Sequence, residues 1–292
     1  MENYKRKYIA HSAGTAILLS VFILVTAWMP SRHSEPISSG GMEYKMKTIV
    51  LDAGHGGHDP GAVGRKSKEK DIALQVVLKL GKRIEEGLPG VKVIYTRTTD
   101  VYPKLYERPA LANKHKADLF ISVHCNSGGA TTRRVKNSKG RYVTTSVLNT
   151  SAKGTETLVC GFNRMDQQDV AIRENASILS EENYQDNYNG FDPNDPSSYI
   201  VFKLMKRQFR DQSIKLATYM QNEFSSSSRT NRGVKEQGLA VLATAGMPAV
   251  LTEIGFISNP SEEEFMMSSA GQQEIVENLF NAIKTYKTSV EK

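Results

Sequence analysis

Residues 49–64 read IVLDAGHGGHDPGAVG, an apolar run followed by a loop with five glycines and two histidines, His55 and His58. Such a loop could hold an anion on backbone N–H groups or a metal on imidazole. The phosphate-binding fingerprints GxGxxG and GxxxxGK[ST] do not match, and the next helical pattern begins only near Lys68. A metal needs two or three converging N or O ligands, an open position for water, and a carboxylate to take that water's proton. Candidates are His124, at the end of the apolar run DLFISVHCN, Glu253, at the end of another, and Glu69 and Asp52. One histidine by itself reads more readily as a satisfied polar residue. Two at the ends of two apolar runs, with a carboxylate ending a third, favour a metal. Spacing does not separate ligand from base among the carboxylates, because Glu69 in a first helical turn also suits the helix dipole.

The elements that carry these groups are legible as periodicities. TIVLD, VKVIYTR, DLFISVHCN and the apolar run of MPAVLTEIGFISNP read as strands, and YERPALANKHK as a helix. In SKEKDIALQVVLKLGKRIEEGL, Ile72, Val76, Val77, Leu80 and Ile84 recur at helical spacing, with Ser67 as the expected N-cap. Apolar runs without alternation, separated by helices, predict an α/β fold: a mostly parallel twisted sheet with helices on both faces. In such a sheet functional groups gather beyond the carboxyl ends of the strands, where His55, His124 and Glu253 fall. Strand alternation turns Cys125 away from the face that carries His124.

Residues 163–211 shift towards Asn, Gln, Asp and Tyr, with FDPNDPSS as a breaker between RENASILSEENY and SYIVFKLMKRQF, both expected to be helical. The segment is too long for a plain connection and reads as a helical insertion over the active-site cleft. The serine tract at 225–228 is expected to be a loop, and the C-terminal EEEFMMSSAGQQEIVENLFNAIKTY a packing helix.

Composition sets the outer limits. The 292 residues are 39% hydrophobic and 24% charged, ordinary for a globular chain, with a formal charge of +7. Arg133, Arg134, Lys136, Lys139 and Arg141 form a basic cluster read as a solvated loop; it lacks the interleaved aromatics that a nucleic-acid partner would call for. Cys125 and Cys160 have no disulfide spacing and are expected to be free thiols. Residues 1–30 combine a basic head with an uncharged apolar stretch over 9–30, which predicts a signal peptide or an uncleaved membrane anchor. Export to the periplasm or cell envelope follows in either case. Residues 31–45 read as a linker and 46–288 as the catalytic domain.

Five motifs in order, DAGHGGHDPGAVG, SKEKDIAL, TRTTDVYPKLYERPALAN, ADLFISVHCNS and RGVKEQGLAVLATAGMPAVLTEIGFISNP, resemble the zinc-dependent N-acetylmuramoyl-L-alanine amidases of the AmiA, AmiB and AmiC type. The likeness implies one Zn²⁺ per chain, held by His55, Glu69 and His124, with Glu253 as the catalytic base. It implies cleavage of the amide between the lactyl group of N-acetylmuramic acid and L-alanine in peptidoglycan. His58 falls on a variable position of the motif and is read as a turn residue. The likeness also implies that the insertion covers the cleft until an activator with a LytM-type domain displaces it, with Glu174, Glu181 or Glu182 approaching the zinc at rest. The competing readings are a non-catalytic wall-binding protein and another zinc amidohydrolase or carboxypeptidase.

Overall fold

The computed structural model describes residues 44–204 and 208–291. The expected signal or anchor segment, and all but the last two residues of the linker, lie outside the described residues. Among the described residues no helix is long and apolar enough to cross a membrane.

The strands are β1 (Thr48–Ala53), β2 (Lys92–Tyr95), β3 (Leu119–Asn126), β4 (Ala130–Lys136), β5 (Tyr142–Leu148), β6 (Thr155–Cys160), β7 (Asn231–Gln237) and β8 (Ala249–Phe256). The helices are α1 (Glu69–Gly87), α2 (Glu107–Lys114), α3 (Asp169–Asn175), α4 (Tyr184–Asn187), α5 (Val201–Leu204), α6 (Arg210–Ser226), α7 (Ala240–Ala243), α8 (Pro260–Met267) and α9 (Ser269–Val290). Six strands form one sheet in the order β2-β1-β3-β8-β6-β7, parallel throughout except where β6 runs against β8. β6 and β7 were not expected from the sequence. TETLVC and NRGVKEQ carry too many polar residues to stand out as buried runs, and both lie towards the β7 edge of the sheet.

Odd positions of β1 and β3, such as Leu51, Ile121 and Cys125, pack against α1, α6 and α9 in one buried cluster. Val50, Phe120, Leu158 and Leu251 face the other way, beneath α2 and the insertion, in a second. Burial on both faces removes the polar alternation from the inner strands, which is why β1, β3 and β8 read as continuous apolar runs. Cys125 lies in the first cluster and His124 points to the second face, as alternation requires.

Three local expectations need correction. Ser67 does not cap α1: its hydroxyl donates to Glu263 Oε1 (2.8 Å), and loop carbonyls of Ala62 and Pro60 accept from Glu69 N and Lys70 N instead. The basic cluster is not a loop but an antiparallel hairpin, β4–β5, whose Thr and Val content favours strands. The serine tract continues α6 as far as Ser226.

The insertion is helical but broken. α3 passes into a 3-10 turn at Ala176–Ser180, Asn183 adopts φ +55° before the single turn of α4, and a second 3-10 turn at Pro196–Ile200 precedes α5. Phe191, Tyr199 and Phe202 pack edge to face and anchor it on the sheet.

Candidate metal centre

β1 ends at Ala53 and the chain turns sharply. His55 takes a left-handed φ of +57°, which swings its ring back over the sheet edge. Two glycines make room for the rings. A Cβ on Gly54 would lie 2.5 Å from the His124 ring, and one on Gly61 would lie 2.5 Å from His55 Cδ2 and 2.6 Å from Glu69 Oε2. The sequence therefore needs glycine here for close approach, and not for an anion.

Four buried side chains converge: His55, Glu69, His124 and Glu174, with one ligand atom from each within 4.8 Å of the others. Glu69 Oε1 lies 3.1 Å from His55 Nε2 and 2.9 Å from His124 Nδ1. Glu174 Oε2 is 3.1 Å from the same two nitrogens. The rings meet edge to face with centroids 4.9 Å apart. His55 Nε2 and Glu174 Oε2 are buried with no partner in hydrogen-bond geometry. Two such orphans aimed at one point fit a metal, since burying them unpaired is costly. The separations approach the edge of about 3.3 Å expected for a tetrahedron with bonds near 2 Å, and an N₂O₂ donor set suits zinc.

Each candidate ligand of the rigid edge is held from behind. His55 Nδ1 donates to Asp59 Oδ2 (2.7 Å), and Asp59 Oδ1 accepts from Gly61 N (3.1 Å). His124 Nε2 contacts Ser122 Oγ (3.1 Å), which donates to Asp52 Oδ2 (2.6 Å). Asp52 Oδ1 accepts from Arg108 Nη1 (3.0 Å) and Thr96 Oγ1 (2.5 Å). Glu69 Oε1 accepts from Cys125 N (2.9 Å) and its Oε2 from Ala62 N (2.7 Å). Such outer partners fix tautomer and ring orientation. Asp52, one of the candidate carboxylates, thus supports His124 from behind and is not in the converging group. Arg97 donates to the carbonyls of Ala53, Gly54, Thr99 and Lys70, so it organises the loop.

The electrostatics are those of a crowded charge cluster. Burial favours the neutral imidazole of His124, but Glu174 and Glu69 outweigh it and raise its pKa to about 9. Burial likewise opposes the charged form of Glu69, yet His55 beside it brings the pKa down to about 2. Glu253 goes the other way: burial, reinforced by Glu174 and Glu69, pushes its carboxyl well above the usual range.

Glu253 faces His124 across the β3–β8 register, and Arg173 Nη2 donates to its Oε1 (3.2 Å) while Oε2 is buried without a partner. Arg173 also donates from Nε to Glu174 Oε1 (3.0 Å), so adjacent residues of α3 reach both the converging group and Glu253. Glu156 on β6 stands opposite Glu253. Like charges so placed repel, and Glu156 is neutralised by Arg232 Nε (3.1 Å) and Lys235 Nζ (2.5 Å) and bonded to Asn126 Nδ2 (2.7 Å).

Of the three glutamates singled out in the insertion, only Glu174 reaches the group. Glu181 is buried but accepts from Tyr102 (2.9 Å), which fastens the insertion to the 97–106 loop, and from Tyr188 within the insertion (3.0 Å), and Glu182 is exposed. The His58 ring packs at a tilt against Tyr102 (centroids 4.4 Å apart) and contacts Ser180 Oγ (3.3 Å), a contact with the insertion that its place in the turn does not suggest. Asp59, Arg173 and Glu156 are not among the candidates that the sequence singles out. Only Asp59 had a usable signal, a carboxylate four residues after a ligand candidate in the same loop.

The fold and this group define a class. The family model for N-acetylmuramoyl-L-alanine amidase (Amidase_3) matches residues 49–285, and the chain belongs to that family. It is 33% identical over 267 residues to the N-acetylmuramoyl-L-alanine amidase AmiC of Escherichia coli O6:H1, covering 88% of this chain and 57% of that protein. It is 30% identical to AmiA of E. coli K12, covering 87% of this chain and 80% of that one. The catalytic domain of CwlV from Bacillus (Paenibacillus) polymyxa var. colistinus superposes with TM-score 0.57 at 25% identity, over 82% of this chain and 98% of that one. An N-acetylmuramoyl-L-alanine amidase from Clostridium difficile 630 gives 0.58 at 25%, over 84% and 99%.

Proposed function

We propose that this chain is an exported, zinc-dependent peptidoglycan amidase that cleaves the bond between the lactyl group of N-acetylmuramic acid and L-alanine, and that its insertion holds it inactive at rest. The observation that carries the reading is the convergence of His55, Glu69 and His124 beside Glu253 on the edge of one sheet. Zinc in that group would supply a water of lowered pKa and polarise the scissile carbonyl. His55 and His124, oriented by Asp59 and Ser122, and Glu69, oriented by two backbone N–H groups, are the ligands. Glu253 Oε2 takes the proton of the attacking water and returns it to the leaving nitrogen of L-alanine. A carboxyl whose pKa lies above the ordinary range matches both halves of that task.

Glu174 is the fourth group of the cluster. Catalytic zinc sites keep one position open, and four protein ligands close it. Glu174 would therefore take the place of the water, while Arg173 engages Glu253 Oε1 at the same time. Activation requires α3 to withdraw, as binding of a LytM-type activator to the insertion would accomplish. Residues 1–30 direct export, by a cleaved signal or by an anchor in the inner membrane, residues 31–45 form the linker, and 46–288 form the catalytic domain with 163–211 as its regulatory insertion.

The test is mass spectrometry of purified sacculi digested by the zinc-loaded protein and by Glu174→Ala. The expected products carry free L-alanine amino termini and unsubstituted lactyl groups, formed about tenfold faster or more by Glu174→Ala, since a competing ligand is removed. Muramyl–alanine bonds left intact by both proteins would refute the activity. Equal rates would refute the inhibition alone.

A further inference from the structure

The β4–β5 hairpin has no role in the site just described. Between Ala130 and Leu148 the sequence has five cations, Arg133, Arg134, Lys136, Lys139 and Arg141, and no Asp or Glu, in a chain whose whole formal charge is +7. No residue of this stretch is buried. Among the described residues none of the five cations has a carboxylate partner. An isolated two-stranded hairpin is marginal in water, and this one is fixed only at its ends. Asn137 organises the tip by accepting from the N–H groups of Lys139 and Arg141 (3.0 Å each).

The root is clamped to the catalytic edge of the sheet. Gly128 N donates to Ser258 Oγ (2.9 Å), Ser258 Oγ donates to Asn149 O (3.0 Å), and Ile257 N donates to Asn126 O (2.8 Å). These bonds tie the arm to the ends of β3 and β8, the strands that carry His124 and Glu253. Seven residues of strand reach roughly 23 Å from that root.

Register places Arg134 opposite Thr144 and Lys136 opposite Tyr142, so these four share one face with the Thr132–Ser146 pair. Both cations lie over the Tyr142 ring (5.4 and 5.3 Å), which is 61% exposed. A face of unneutralised cations around an open aromatic ring fits a polymer with carboxylates and sugar rings. The tip, Asn137-Ser138-Lys139-Gly140, offers no apolar wedge for a lipid surface.

We infer that the β4–β5 hairpin is an arm that grips the peptidoglycan strand through its stem-peptide carboxylates, outside the cleft that cuts it. The inference rests on the amidase reading for the identity of the polymer. The test is co-sedimentation of the zinc-loaded full chain in detergent with purified sacculi, in a Glu253→Gln background that prevents turnover. Replacing all five cations (Arg133→Gln, Arg134→Gln, Lys136→Gln, Lys139→Gln, Arg141→Gln) should weaken binding about tenfold at low salt and flatten its salt dependence. Sacculi whose carboxylates have been amidated should bind the parent protein as weakly as untreated sacculi bind the variant. With Glu253 restored, kcat/KM on a small soluble muramyl-peptide should stay within about twofold, because the arm lies outside the chemistry. Unchanged binding by the variant, full binding to amidated sacculi, equal loss on the small substrate, or arm-dependent binding to phosphatidylglycerol vesicles as strong as to sacculi would each overturn the inference. Arm-dependent binding to sacculi in a protein that cleaves no muramyl–alanine bond would overturn the amidase reading and leave the arm standing.

Discussion

The two halves of the metal centre are built differently. His55, His124 and Glu69 come from the sheet edge and the first turn of α1, and each is fixed from behind: His55 by Asp59, which is bonded to Gly61 N, His124 by Ser122, which is bonded to Asp52 and through it to Arg108, and Glu69 by two backbone N–H groups. Glu174 comes from a seven-residue helix in an insertion of short, broken elements, and behind the two histidines its carboxylate is paired with Arg173, its own neighbour and 30% exposed. Buried bonds from the sheet and loop backbone hold the first half, whereas the second is a short helix docked through Asn175, which bonds Gly238 O (2.7 Å) and Ala240 N (2.9 Å), and through Val170 and Ile178 in the core, so it can leave only as a unit. On the proposed reading, a permanent ligand set and a removable one meet at the same point.

That contrast can be broken at several places. The largest effect is expected from Glu253→Gln, which keeps the shape but removes the base: cleavage of sacculi should fall by about 10²–10⁴-fold with zinc content unchanged by atomic absorption. Retained activity would move the base elsewhere. Asp59→Asn attacks the rigid half from behind and should lower zinc affinity about 10–100-fold in competition with a chromogenic chelator, while Asn keeps the turn. Glu181→Ala attacks the removable half: losing the Tyr102 and Tyr188 bonds should raise basal cleavage severalfold, by about one hydrogen bond's worth of opening equilibrium. Unaltered basal rates there would mean that the Glu181 bonds do not help to hold the insertion closed.

The smallest effect is a pH dependence of the metal-free protein. His124 holds its proton more tightly folded (pKa about 9) than unfolded, so its contribution is complete below about pH 6.5 and is lost as pH rises through 9. Glu69, lowered to about 2, contributes above about pH 4.5 and loses that contribution as pH falls through 2. Thermal midpoints of the chelated protein should thus peak between about pH 4.5 and 6.5, and zinc should abolish the alkaline fall by binding the neutral imidazole. A chelated protein equally stable from pH 6 to 9 would show that these charges do not persist without the metal.

Basic residues and polar strands were the least legible features. The run around Arg133 reads as solvated because its cations are indeed exposed, and yet Thr and Val between them pair into a ribbon. β6 and β7 escaped notice because Glu156, Arg232 and Lys235 satisfy one another across the sheet, and such compensation has no periodicity.

The sequence by itself determined β1, β2, β3 and β8, since apolar runs without alternation can be buried only between two layers, and it determined that His55, His124 and Glu253 lie towards the carboxyl ends of three of them. It also kept Cys125 off the catalytic face, because side-chain direction along a strand is local. Only the tertiary structure decided which carboxylates share the centre. Glu174 lies at no spacing from His55 or His124 that a pattern could register, and Asp52, adjacent to the same loop, is turned away by Arg108. Contacts of that kind depend on how an insertion folds back across more than a hundred residues. No local propensity encodes that distance.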